Sequence, residues 1–99
     1  MIASQHNAWI HSTVTVLVVL VGGIIRLDRA EWCWIVFAIA SVWITEALNT
    51  AFEFLADVTN KEFHPVVKQS KDVAAGAVLI SAMAAVVIGI IVFYPHFAR

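Results

Sequence analysis

Glu46, Asn49, Glu53 and Asp57 stand at i, i+3, i+7 and i+11, a spacing that gathers all four on one narrow face of a helix. Their neighbours Ala47, Leu48, Ala51, Phe52, Phe54 and Leu55 are apolar, so this stripe is not the outer face of a solvated helix. Carboxylates in apolar surroundings are costly and by default face a bundle interior or an aqueous cavity. Two of them on nearby turns repel each other, which a stripe that only glues helices together does not need. Oxygen donors so arranged suit Mg²⁺ that bridges phosphates. Asp57, the outermost, reads by itself as a solvated helix end rather than part of a site.

A second polar group follows at Glu62, His64, Lys71 and Asp72. Glu62-Phe63-His64-Pro65 is by itself a solvated connection, and Lys71-Asp72 by itself an interface anchor and helix start. Their convergence with the stripe at one membrane face makes them candidates for binding. Cys33 lies in an apolar run without partners at ligand spacing and reads as a small hydrophobe.

The elements that position these groups follow from composition. The chain has 99 residues, of which 62% are hydrophobic and 13% charged, with a mean hydropathy of +0.89. Soluble domains are near half apolar and about a quarter charged, so the solvent here is largely lipid. A net charge of −1 supplies no basic field to hold nucleic acid. Three spans are expected, roughly 8–25, 32–58 (with an extension beyond the hydrocarbon) and 73–93, in a single domain covering 1–99. The first is retained rather than cleaved, because it lacks a basic lead and runs into Arg26-Leu27-Asp28-Arg29. Gly22-Gly23 and the charged segment after it end that span. Nothing from Trp32 to Asp57 breaks a helix, 59–70 reads as a polar loop punctuated by Pro65, and Tyr94-Pro95 closes the third span. Ala74, Ala75, Gly76, Ala77, Ser81, Ala82, Ala84, Ala85 and Gly89 allow close helix packing in lipid. Three spans enclose little, so a ligand site of useful size calls for contacts between protomers. The fold class is thus all-α, a polytopic membrane bundle. Lysines and arginines are too evenly divided between the two sides to orient it.

The run Glu46-Ala47-Leu48-Asn49-Thr50-Ala51-Phe52-Glu53, then Asp57, Glu62-Phe63-His64-Pro65 and Lys71-Asp72-Val73-Ala74-Ala75-Gly76-Ala77-Val78, closely resembles the signature of the prokaryotic diacylglycerol kinase family, which includes undecaprenol kinases. The resemblance extends from about Gln5 to Phe93. It implies a homotrimeric membrane enzyme that uses ATP and Mg²⁺, with active sites shared between protomers at the cytoplasmic face of the bacterial inner membrane. Residue by residue it implies Glu46 as catalytic base in contact with the lipid, Asn49 as an active-site polar contact and Glu53 as metal ligand. Glu62, His64, Lys71 and Asp72 would contact the nucleotide, and Ala75 would lie along the lipid path. Because ATP is cytoplasmic, the N-terminus and the second connection are placed in the cytoplasm and the C-terminus outside.

Two departures accompany it. Gln5 stands where many members carry a metal-binding glutamate, so it could reach Mg²⁺ only as a neutral oxygen donor, and Trp9 stands where a basic residue is common. The family also has an amphipathic surface helix ahead of this point, whereas only a handful of residues precede Gln5 here. The expected activity is phosphorylation of diacylglycerol to phosphatidic acid. Undecaprenol phosphorylation uses the same residues, and a non-catalytic bundle that has lost the N-terminal part of the site is the reading of another class.

Overall fold

A computed structural model describes residues 2–59 and 65–98, with side chains for 8–58 and 65–98. Its elements are three helices, α1 (Ile2–Ile25), α2 (Arg29–Thr59) and α3 (Pro65–Phe97). Each contains a stretch long and apolar enough to cross a membrane, Ala8–Ile25, Arg29–Val58 and Pro65–Phe97. The molecule measures 55 × 20 × 19 Å, and its long axis exceeds the ~30 Å of a hydrocarbon core. The helix ends therefore project into the interfaces. Ile24, Val73, Ile80 and Ile91, along with many other large apolar side chains, are exposed, as surfaces in contact with lipid tails must be.

The turn from α1 to α2 is built by local chemistry. Arg26 has φ of 60°, in the left-handed region that ends helices, and the Leu27 amide donates back to the Gly22 carbonyl at 3.1 Å. This six-to-one bond is that of a Schellman motif. Leu27 folds over Gly22, where an added Cβ would lie 2.9 Å from both Leu27 Cδ1 and Trp32 Cη2. Gly22 is thus required for close approach, and the helix runs on past Gly23 to Ile25. Asp28 then caps α2: its Oδ1 accepts from the Glu31 amide at 2.8 Å and Glu31 Oε1 accepts from the Asp28 amide at 3.0 Å. That reciprocal pair is a capping box.

The principal interface joins α2 to α3. Lys71, Ala74, Val78, Ser81, Ala85, Ile88 and Val92 are drawn out of solvent along α3, a three-four alternation that marks a coiled-coil-like seam. At its far end Leu27, Ile35 and Val92 form the core, with Trp32, Ile39, Ile88 and Phe93 packed around it. His96 Nε2 approaches Glu31 Oε2 at 2.8 Å at that end, and Lys71 approaches Asp57 at the other, as antiparallel helices require. Ser41 and Thr45 satisfy their hydroxyls within α2, Ser41 donating to the Phe37 carbonyl and Thr45 to those of Ser41 and Val42, whereas Ser81 Oγ on α3 is buried without a hydrogen-bond partner.

Three expectations about element ends differ from this arrangement. Residues 65–70, expected in a loop, are helical, because Pro65 occupies the first position of α3, where its missing N–H and fixed φ suit a helix start. Lys71-Asp72 consequently lies well inside the helix rather than at its start. Tyr94-Pro95 does not end α3, which continues to Phe97 with the Ala98 amide donating to the Tyr94 carbonyl at 2.9 Å. Pro95 removes one bond of the ladder, the one its N–H would give to the Ile91 carbonyl. Among the small residues of α3, Ala75, Ala77 and Ala84 are exposed while Ala74, Gly76, Ala82, Ala85 and Gly89 are partly covered, and the fully buried alanines are Ala38 and Ala56 on α2.

Candidate active site

The α2 stripe passes from buried to wet along its length. Glu46, near the middle of α2, is the one buried ionisable side chain among the described residues, 7% exposed. It faces α1, where His11 Nε2 lies 3.6 Å from its Oε2. Asn49 and Glu53 follow, half-buried, with Asn49 Nδ2 donating to Glu53 Oε1 at 3.5 Å. Asp57, at the wet end, meets Lys71 Nζ at 3.1 Å across the α2–α3 seam. From Glu46 to Asp57 the helix rises about 16 Å, so the stripe runs from the hydrocarbon to the interface.

Beside Glu46 lies a groove of about 400 Å³ lined by Ala8, Trp43, Glu46, Ala47, Thr50, Ala51 and Phe54. Only Glu46 and Thr50 bring ionisable or hydroxyl groups to it, and alanines on both helices keep it open. A carboxylate in a mostly apolar groove suits one chemistry well: accepting the proton of an alcohol whose remainder is hydrocarbon.

Further out, the polar groups are arranged for a charged ligand. Lys71 is held between α2 and α3 by Asp57, and Lys68 pairs with Asp72 at 2.8 Å one turn apart on α3. Both pairs are substantially exposed, the four side chains lying between 38% and 67% accessible, so each lysine is free to exchange its carboxylate for a phosphate. Ala75 is exposed on α3 and does not line the groove at Glu46. Gln5, Glu62 and His64, expected respectively at the metal and the nucleotide, lie outside the described residues or side chains.

Whether the residues fit Mg²⁺ is answered by Asn49. Its Oδ1 is buried without a hydrogen-bond partner, one turn from the Glu53 carboxylate that its own Nδ2 touches. An orphaned oxygen beside a carboxylate is a hard donor pair of the kind Mg²⁺ takes. No three His, Cys, Asp or Glu side chains converge on one point among the described residues.

Sequence reasoning passed over two parts of the site. Trp43, one turn before Glu46 on α2, and His11, facing it from α1, flank the carboxylate, yet in sequence they are an aromatic and a histidine in apolar runs. Asp57, read as a plain helix end, is the partner of Lys71. Its signal was present, since Asp57 belongs to the same face as Glu46, Asn49 and Glu53.

Three membrane-length helices carrying a graded polar stripe, a buried carboxylate at a mostly apolar groove and lysines at the rim suit a membrane-embedded enzyme acting between an apolar and a phosphate-bearing ligand. Residues 1–93 match the sequence model of the family described as prokaryotic diacylglycerol kinase, and the chain belongs to that family. It is 34% identical over 92 residues to the undecaprenol kinase of Bacillus subtilis (strain 168), covering 93% of this chain and 75% of that protein. To the diacylglycerol kinase of Synechocystis sp. it is 38% identical over 88 residues, 88% of this chain and 50% of that longer protein. To the diacylglycerol kinase of Escherichia coli (strain K12) it is 28% identical over 97 residues, 91% of this chain and 80% of that protein. No solved structure matches significantly. The protein is a membrane-embedded lipid kinase with ATP as its phosphate donor.

Proposed function

We propose that this kinase phosphorylates diacylglycerol to phosphatidic acid, with Glu46 as the general base. The observation that carries the reading is the burial of Glu46 against a mostly apolar groove. The acceptor hydroxyl lies in that groove. As its oxygen attacks the γ-phosphorus, the Glu46 carboxylate takes the hydroxyl proton, the new O–P bond forms and ADP departs.

Asn49 and Glu53 offer oxygen donors next to the γ-phosphate, and Gln5 a further neutral one. Mg²⁺, when bound there, would neutralise charge on the β- and γ-phosphate oxygens. Lys71 leaves Asp57 for the phosphates and offsets the charge on the transferring group, while Glu62, His64 and Asp72 contact the remainder of the nucleotide. Ala75 borders the lipid path of a neighbouring copy. The enzyme works as a homotrimer with sites shared between protomers, since one chain's three helices enclose too little to hold both a nucleotide and a lipid. The nucleotide side is the end holding the N-terminus and the α2–α3 connection, which faces the cytoplasm of a bacterial inner membrane.

The similarity to a protein named undecaprenol kinase supports a second acceptor, a long-chain polyprenol, for the same machinery. Purified protein given Mg-ATP with diacylglycerol and undecaprenol in parallel mixed micelles tests both. Phosphatidic acid as the faster product upholds the proposal. Turnover of the polyprenol alone replaces it, and no turnover of either lipid refutes it.

A further inference from the structure

The way α1 meets α2 beside Glu46 carries an inference about how the base is aimed, and it rests on the reading of Glu46 as that base. His11 Nε2 is 3.6 Å from Glu46 Oε2, and the two side chains are 20% and 10% exposed. The imidazole is itself fixed. Its ring packs 5.8 Å from that of Trp43, centroid to centroid, at a 58° tilt, and Trp43 stands one turn before Glu46 on α2. The Trp43 indole N–H donates to Thr15 Oγ1 at 3.0 Å, and the Thr15 hydroxyl donates to the His11 carbonyl at 2.6 Å. Side chain and backbone of His11 are thus tied by the same pair of residues, which makes a rigid mount in a part of the molecule where α1 touches α2 sparsely.

We infer that His11 is a positioning residue for phosphoryl transfer: Nε2–H holds Glu46 through Oε2 and leaves the other carboxylate oxygen facing the groove to take the acceptor's proton. A glutamate has enough rotatable bonds to swing out of line in a groove with so few polar partners, and about 1 Å of misplacement at a reacting group can cost on the order of 10²-fold in rate. At 3.6 Å the contact lies just outside hydrogen-bond range, and a small rotation of either side chain closes it. Trp43, which also lines the groove, braces the imidazole from behind. The competing explanation is that the ring of His11 only packs α1 against α2.

Two substitutions separate these roles. His11→Phe keeps a ring against Trp43 and removes Nε2, and His11→Gln keeps an N–H donor of similar reach. The positioning role predicts that His11→Phe lowers kcat about ten-fold with KM for ATP and for lipid within about two-fold of wild type, and that His11→Gln recovers most of the loss. Wild-type kcat in His11→Phe overturns the inference, and so does a failure of His11→Gln to recover. Glu46→Gln measured alongside keeps the two readings apart. Full activity there removes Glu46 as the base, whereas an inactive Glu46→Gln beside an unimpaired His11→Phe removes only the positioning role.

Discussion

Replacing Gly22 by alanine tests the turn that sets the angle of α1 and so brings His11 to Glu46. The new methyl carbon would lie 2.9 Å from Leu27 Cδ1, 2.9 Å from Trp32 Cη2 and 3.2 Å from Trp32 Cζ2. Leu27 is 7% exposed and Trp32 packs against the core, so neither can swing away without opening the α1–α2 corner. Overpacking of this kind costs about 1–3 kcal/mol. The gain in helix propensity, up to about 1 kcal/mol, offsets part of it. Gly23 supplies the control, since a Cβ there meets nothing within 4 Å while gaining the same propensity. The difference in unfolding free energy between Gly22→Ala and Gly23→Ala therefore isolates the clash, and about 1–3 kcal/mol is expected. Reversible unfolding in mixed micelles followed by circular dichroism measures it. Coincident transitions for the two variants would refute the close packing of Leu27 and Trp32 on Gly22.

Arg26→Gly should stabilise the protein by about 1 kcal/mol, because a residue with a side chain at φ of 60° carries strain that glycine does not; a lower transition midpoint would contradict that geometry. Lys71→Met should change stability by less than about 1 kcal/mol, its ion pair with Asp57 being half in water, yet raise KM for ATP several-fold; an unchanged KM would remove Lys71 from the nucleotide. Glu53→Gln should raise the free Mg²⁺ needed for half-maximal activity, and Gln5→Glu should lower it by restoring a charged ligand. Titrating free Mg²⁺ at fixed Mg-ATP reads both, and a Gln5→Glu midpoint equal to wild type would show that this side chain does not reach the metal.

The polar stripe was legible in the sequence because helical periodicity and membrane depth are both linear properties of a chain. Glu46, Asn49, Glu53 and Asp57 needed only their spacing and apolar neighbours to be recognised as one face. The ends of the elements were harder, since they depend on which of two roles a single residue takes. Pro65 is a loop breaker or a helix-start residue according to whether the residues after it are helical, and Asp28 with Glu31 is a charged turn or a capping box. The spacing of Asp28 and Glu31 carried that second meaning openly. What no one-dimensional pattern held was the pairing between helices. His11 with Glu46, Trp43 with Thr15, Asp57 with Lys71 and Glu31 with His96 are set by the rotation of one helix against another, and that rotation follows from the whole packed seam.

In the proposed mechanism, phosphoryl transfer turns on Glu46 removing the proton from a lipid alcohol. Glu46→Gln keeps the size of the side chain and its capacity for hydrogen bonding but cannot take up a proton at neutral pH. Transfer from ATP to diacylglycerol, measured in mixed micelles on protein shown to be assembled as the wild type is, should fall by at least about 10²-fold with the oligomer unchanged. Turnover near the wild-type rate in that variant would contradict the role of Glu46 as the base.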